Sequence, residues 1–212
     1  VANATTYDFP VRFQKVEGFT VARAIGKDPG IYEAVKTGAD KLVAQGVRAV
    51  TGDCGFMALH QRRLAEALPV PVFLSSLLQI PFLCAIVGQA AKIGVITADS
   101  RSLDEHLLAE AGVSDPGRLA VVGLQDRPHF FFFFIEETGT LDAAAVETEV
   151  VSAAEALVRE HSPVKAILLE CSLLPPYASA VQEAVGLPVF DYVTMINHVF
   201  SAVVRRRFVG YL

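Results

Sequence analysis

The sequence predicts an α/β fold built of two pseudo-symmetric lobes, each a mostly parallel sheet flanked by helices, with the active site in the cleft between them. Three observations carry that expectation. Short apolar runs alternate with helical stripes along the chain, the pattern of parallel strands joined by crossover helices. The sequence matches itself without a gap at an offset of 117 residues (171 − 54). In each copy the apolar run ends in an acidic residue followed by a cysteine, Asp53-Cys54 and Glu170-Cys171.

Taken in order, Ile31, Val35, Leu42 and Val43 mark the apolar face of a first helix that stops near Gly46. Val47 to Gly52 is a strand leading straight to Cys54, and a helix with Phe56, Leu59 and Leu64 follows it. Pro69 to Leu74 is a short strand that ends in Ser75-Ser76. Leu77 to Ala91 reads as an apolar helix in spite of Pro81, with Cys84 as one of its core residues. Lys92 to Thr97 is a strand, and Ser102-Leu103-Asp104-Glu105 reads as a capping box opening a helix that stops at Gly112.

Arg118 to Leu124 is the next strand, an amphipathic helix carries Val146, Val150, Leu157 and Val158, and Val164 to Leu169 is a strand again. A helix from about Pro175-Pro176 ends at Gly186, Leu187 to Phe190 is the last strand, and Ile196, Val199, Val203 and Val204 stripe the last helix. Arg205-Arg206-Arg207 closes that helix, where positive charge suits the dipole. One segment fits no period: His129 is followed by five phenylalanines, Phe130 to Phe134, a run that would invite aggregation if exposed.

The composition excludes several function classes. A net charge of −5 with a single cationic cluster argues against a nucleic-acid partner. No apolar stretch reaches the roughly 20 residues of a membrane span. Three cysteines, an odd number without zinc-ligand spacing and with no signal-like start, read as reduced thiols in a cytoplasmic protein with no metal site. No strand is followed by a G-x-G-x-x-G or P-loop pattern, and no lysine stands in a recognisable pyridoxal phosphate context. No cofactor is expected.

Across 47–73 and 164–190 the repeat has eight identical pairs in 27 positions, including Cys54/Cys171, Glu66/Glu183 and Pro71-Val72-Phe73/Pro188-Val189-Phe190. About two would be expected from average residue usage. A duplicated α/β unit follows, with residues 1–91 plus 192–212 as the first lobe and 92–191 as the second. The twin of the strand at 92–97 would fall at about 92 − 117 = −25, before Val1, so the first lobe is expected to have a further strand at its amino-terminal side.

Pseudo-twofold symmetry would bring the carboxyl ends of equivalent strands, and therefore Cys54 and Cys171, to one cleft. Two thiols there suit removal of a proton from one face of a carbon and delivery to the other, with helix-start N–H groups available to favour the thiolates. The bland alternatives are a disulfide, or cysteines that are merely small buried hydrophobes. Asp53 and Glu170 could orient or accept from the thiols, unless as neighbours on the strand they point to the opposite side. His60 and His198 are weaker acid/base candidates, and a polar wall or core role suits His60 better.

At these residues the chain resembles the aspartate/glutamate racemase superfamily, which includes hydantoin racemases, maleate isomerases and arylmalonate decarboxylases. The resemblance lies in Thr51-Gly52-Asp53-Cys54-Gly55-Phe56 and in Glu170-Cys171-Ser172-Leu173-Leu174-Pro175-Pro176-Tyr177. It extends to Asn3, Phe9-Pro10-Val11-Arg12, Ser75 to Gln79 and Pro188 to Asp191. It implies a cofactor-independent racemase or epimerase, an isomerase acting on an amino acid or related small carboxylate, with Cys54 and Cys171 as the acid/base pair. By the same resemblance Asn3, Thr51, Gly55, Ser75, Ser76 and Ser172 would lie at or near the substrate. The amino-acid-specific members resemble Cys-Asn-Thr and Gly-Cys-Thr at the two sites, whereas here Cys54 precedes Gly55-Phe56 and Glu170 precedes Cys171. A one-thiol isomerase or decarboxylase of the superfamily, and a non-catalytic bilobal protein that binds a small ligand, therefore stay open, as does a homo-oligomer.

Overall fold

The computed structural model describes residues 1–210. Its two parallel sheets carry the duplication in their register. The smaller sheet pairs β1 (Val50–Thr51) with β2 (Val72–Phe73), Val50 opposite Val72. The larger holds β3 (Lys92–Thr97), β4 (Leu119–Gly123), β5 (Val164–Leu169) and β6 (Val189–Phe190) in the order β4-β3-β5-β6. Within it Ile167 lies opposite Val189, the β1–β2 pairing shifted by 117 at both residues (50 + 117 and 72 + 117). All strand pairs are parallel, as crossover connections require.

The helices follow the same repeat. In chain order they are α1 (Val21–Ile25), α2 (Tyr32–Ala44), α3 (Gln61–Ala67), α4 (Ile80–Ile86), α5 (Glu105–Glu110), the single turn α6 (Pro128–Phe130), α7 (Ala143–Glu160), α8 (Ala178–Val185) and α9 (Tyr192–Val203). Shifted by 117, α3 falls on α8, α4 on the second half of α9, and α2 on α7. The helix after the last strand of each unit packs on the other unit. Ile80 and Leu83 of α4 are fully buried in the core of the larger sheet, while Met195 and Ile196 of α9 pack with Tyr7 and Phe73. This reciprocal exchange sets the carboxyl ends of β1 and β5 against each other.

The larger core is the denser one, because β3 lies between two strands and under α7. Its residues Ile93 to Thr97 are buried, as a strand covered on both faces should be. α7 approaches so closely that a Cβ on Gly94 would come within 2.6 Å of Leu157 Cδ2. The smaller core gathers Ile31, Tyr32, Val35, Leu64 and Leu74 between α2, α3 and the short sheet.

Local chemistry departs from the sequence expectation at three places. Pro81 does not kink a long helix: residues 76–79 form a 3-10 turn and Pro81 sits in the first turn of α4, where its missing N–H costs nothing. The residue that caps α5 is Asp104, whose carboxylate accepts from Leu107 N–H, while Ser102 lies in the preceding 3-10 turn, so the Ser102/Glu105 box is not formed. The phenylalanine run is helical after all. α6 continues into a wide π turn over Phe131–Ile135, and Glu149 on α7 accepts from the N–H groups of His129 and Phe130 at 2.9 Å each. Phe130 is fully buried, which anchors the run.

Candidate active site

The carboxyl ends of β1 and β5 open into one large cavity of about 1330 Å³ lined by Thr51, Asp53, Cys54, Gly55, Glu170, Cys171 and Ser172 among others. Both thiols are free. Cys54 is half-buried and stands in extended conformation as the N-cap of the 3-10 turn Gly55–His60. Cys171, the more buried of the two, follows β5 by two residues and receives the N–H of Leu173. The sulfurs are near enough that charge on Cys54 is felt at Cys171. Each thus sits at the mouth of a strand-to-turn junction, where free N–H groups favour a thiolate.

Burial works in the other direction. It pushes the Cys54 thiol up to about 12, with the negative charge of Glu170 adding to the effect, and it holds Cys171 well above the ordinary thiol value for the same two reasons. Burial and the Glu170 charge thus favour the neutral thiol at both positions in the free protein.

Glu170 is the charged group at the centre of the site. It is 1% exposed, and its main-chain N–H continues the ladder by donating to Ile96 O at 2.8 Å. Its side chain does not turn away from the cleft. Oε2 accepts from Thr97 Oγ1 at 2.9 Å, and the N–H of Ala98 supports the carboxylate. Oε1 reaches across to the first cysteine turn and has no hydrogen-bond partner. A Cβ on Gly55 would lie 1.6 Å from Oε1, so only glycine fits between Cys54 and Phe56 while the carboxyl holds this position. Burial pushes Glu170 up to about 7 against the donations from Thr97 and Ala98.

The remaining residues divide into those that line the cavity and those that support it. Thr51 lines it with its hydroxyl donating to Phe73 O at 2.9 Å, and Ser172 lines it with its hydroxyl donating across the cleft to Asp53 O at 2.8 Å. Ser75 and Ser76 are fully buried behind the site. Ser75 accepts from Leu77 N–H, and Ser76 donates to the main-chain oxygens of Leu169 and Glu170, tying the end of β5 to the segment after β2. Asn3 is exposed and caps the 3-10 turn Ala4–Thr6, outside the cavity wall. Asp53 is an exposed member of the wall. Cys84 lies away from the cavity, His198 is exposed, and His60 is buried against Tyr32 and held down by burial and by Arg63.

Two elements of the site have no counterpart in the sequence expectation. Phe133, Phe134 and Ile135 of the π turn line the cavity, and Phe130 at the end of α6 is fully buried behind them. Tyr192 is fully buried beneath the thiols, donates to Leu74 O at 2.8 Å, and is raised by burial and by the charges of Cys54 and Glu170. Among the described residues no three His, Cys, Asp or Glu side chains converge as metal ligands would, and no helix is long and apolar enough to cross a membrane.

No family model matches the chain. A dimethylsulfoniopropionate lyase of Emiliania huxleyi is 37% identical over 166 residues, which is 74% of this chain and 43% of the relative. A dimethylsulfoniopropionate lyase of Durusdinium is 33% identical over 198 residues, 90% of this chain and 65% of the relative. The chain therefore spans roughly half of the length of these curated relatives. Among solved structures, allantoin racemase from Pseudomonas fluorescens superposes with a TM-score of 0.59 at 26% identity, covering 82% of this chain and 69% of that one. A putative Asp/Glu racemase from Yersinia pestis gives 0.57 at 16% identity, covering 85% and 76%.

The sequence relatives correct the expected reaction. A racemase or epimerase, and with it an isomerase, conflicts with relatives that are named lyases. The residues do not separate the two classes, because a racemisation and a β-elimination can both open with a proton leaving a carbon beside a carboxylate. What differs is whether the next carbon bears a leaving group, and that belongs to the substrate.

Proposed function

We propose that this chain, which belongs to the aspartate/glutamate racemase superfamily, is a lyase that eliminates dimethyl sulfide from dimethylsulfoniopropionate or a close β-sulfonio carboxylate. The observation that carries the reading is the combination of lyase-named relatives at 33–37% identity with two free thiols at one cavity. One thiol gives up its proton to water as substrate binds; the thiolate so formed takes the proton from the carbon beside the carboxylate, the released electron pair forms the carbon–carbon double bond, and the carbon–sulfur bond breaks with its pair going to sulfur. Neutral dimethyl sulfide and acrylate leave, and the cysteine is again a neutral thiol.

Elimination needs one base, whereas inversion needs two on opposite faces, and the two thiols are unequal. Cys54 opens the 3-10 turn Gly55–His60 and is of intermediate exposure, whereas Cys171 is buried. A start-of-turn position favours a thiolate, and the more exposed thiol is the one a substrate reaches first. Cys54 is accordingly the base, and Cys171 is a neutral thiol on the other wall. The test is direct. The 212-residue chain incubated with dimethylsulfoniopropionate should release dimethyl sulfide and acrylate in equal amounts, and absence of both products refutes the assignment.

A further inference from the structure

The smaller sheet stops at an edge where the larger one continues. Among the described residues β1 pairs with β2 alone, whereas its repeat partner β5 lies between β6 and β3. Val50 N–H donates to Pro71 O at 2.9 Å, as Ile167 N–H does to Pro188 O, so alternation along the strand turns the main-chain groups of Ala49, Thr51 and Asp53 towards the free edge. The equivalent groups of β5 face β3. Ala166 lies opposite Ile93 and Leu168 opposite Val95, and Glu170 N–H donates to Ile96 O at 2.8 Å. Burial differs accordingly between matched side chains: Val164, Ala166 and Leu168 are buried, while Val47, Ala49 and Thr51 are half-buried and line the large cavity.

The cavity has the form a strand needs. At about 1330 Å³ it exceeds the roughly 300–1,000 Å³ of small-molecule sites. Beyond the thiols it is bordered by Val35, Ala39 and Leu42 of α2 and by Ile196, Val199 and Val203 of α9. The two helices cover opposite faces of the short sheet, α2 packing with Val50 and α9 with Phe73, which is paired with Thr51. Residues 10–16 belong to no helix or strand and line the cavity too, between Phe9, stacked on Phe200 at 3.6 Å, and Val16, which a Cβ on Gly38 would meet at 3.3 Å. The cations of the lining, Arg12, Lys15 and Arg48, are exposed and stand at its rim. A slot along a strand edge with a helix over each face suits a buried parallel strand, which is a short apolar run.

A second internal match gives the direction of such a strand and the place where it ends. Asn3 caps the 3-10 turn Ala4–Thr6 by accepting from Thr5 N–H, and Asp99, two residues past the end of β3, caps the turn Ser100–Ser102 by accepting from Arg101 N–H. The next bond repeats as well, Thr6 N–H to Asn3 O and Ser102 N–H to Asp99 O. At this offset of 96 (99 − 3), Val1 matches Thr97, the last residue of β3. Val1 stands at the cleft, its nitrogen donating to Ser172 O at 3.3 Å. A strand ending at Val1 would thus run along β1 as Lys92–Ile96 runs along β5.

We propose that the free edge of β1 is a docking slot for one parallel strand of five mainly apolar residues, joined through its carboxyl end to Val1, and that this strand positions the first cysteine turn. β3 holds the main chain of Glu170 beside Cys171 through the Ile96 carbonyl. The docked strand holds Asp53 beside Cys54 in the same way.

The experiment joins Lys-Ile-Gly-Val-Ile, the sequence of Lys92–Ile96, to Val1. Amide hydrogen exchange is compared with that of the 212-residue chain and of a chain extended by Lys-Ile-Pro-Val-Pro, whose prolines remove two of the N–H groups that would face β1. Val50, already bonded on the β2 side, is the internal reference. In the 212-residue chain Ala49, Thr51 and Asp53 should exchange at least about tenfold faster than Val50; the apolar extension should bring them within about threefold of it, and the proline extension should not. Equal rates at all four amides without an extension, no slowing with the apolar one, equal slowing by the proline one, or an extended chain that does not fold overturns the proposal. Slowing in the unextended chain that grows with protein concentration would assign the edge to a second copy and overturns it as well. Turnover is not read, so the outcome is independent of the lyase reading.

Discussion

Replacing Gly55 by alanine probes the contact on which the site geometry turns. The added Cβ would sit 1.6 Å from Glu170 Oε1 and 2.2 Å from its carboxyl carbon, so one side must retreat by at least 1.4 Å (3.0 − 1.6) to reach even the closest tolerated separation. Glu170 cannot do so and keep the Thr97 hydroxyl and the Ala98 N–H. Losing a hydrogen bond to a charged group costs about 1.5–3 kcal/mol and overpacking a filled interior about 1–3 kcal/mol, so a destabilisation of about 2.5–6 kcal/mol is expected. Urea denaturation reads this as a lower midpoint at unchanged slope. The control is the double-mutant cycle with Glu170→Ala: once the long side chain is gone, Gly55→Ala should cost less than about 1 kcal/mol, giving a coupling of at least about 1 kcal/mol. Additive effects, or a single variant as stable as the parent, would refute the placement of the carboxyl.

Three further outcomes are expected. Glu170 is raised by burial from 4.5 to about 7, so the folded state holds its proton more tightly than the unfolded state does; stability from this group is complete below about 4.5 and is lost as pH rises through about 7. The loss is at most about 3 kcal/mol, and urea midpoints at about pH 5 and about pH 8 should differ less in Glu170→Gln than in the parent; an equal difference would contradict it. His60 is shifted down by burial and so weakens the fold as pH falls, which opposes the Glu170 effect at the acid end and is the same in both proteins. Asp191 closes a complete capping box with Thr194 on α9, and Asp191→Ala should cost about 1 kcal/mol by the same denaturation assay. Phe130→Ala removes a fully buried ring and should cost about 3–5 kcal/mol, whereas Phe132→Ala, at a 58% exposed position, should stay within about 0.5 kcal/mol.

Much of this arrangement is legible in the sequence because duplication repeats whole units. The offset that aligns Cys54 with Cys171 also aligns the paired strands residue for residue, and it places both thiols at strand ends before any coordinates are consulted. Local motifs serve less well. Ser102 and Glu105 have capping-box spacing, yet Asp104 is two residues closer to the helix and a better acceptor. The phenylalanine run has no period because its turn is neither an α-helix nor a strand, and its residues answer to a cavity rather than to a sheet. Strand alternation suggested that Glu170 might face away from Cys171, but the ladder ends there, and Thr97 and Ala98 draw the carboxyl towards the cleft. Asn3 and the two serines after β2 belong to the quoted resemblance by sequence, while in the fold Asn3 caps an outer turn and Ser76 braces the end of β5. The type of reaction is hidden for a different reason: a thiol suited to moving a proton carries no information about what leaves the neighbouring carbon.

The central claim is that one thiol, Cys54, starts an elimination. The measurement that tests it most directly is dimethyl sulfide release from dimethylsulfoniopropionate by the parent, Cys54→Ser and Cys171→Ser, each shown to be folded. Loss of a positioned general base costs about 10²–10⁴-fold, so Cys54→Ser should fall by that factor and Cys171→Ser by less than about tenfold. A Cys54→Ser protein that releases dimethyl sulfide at close to the parental rate would contradict the account.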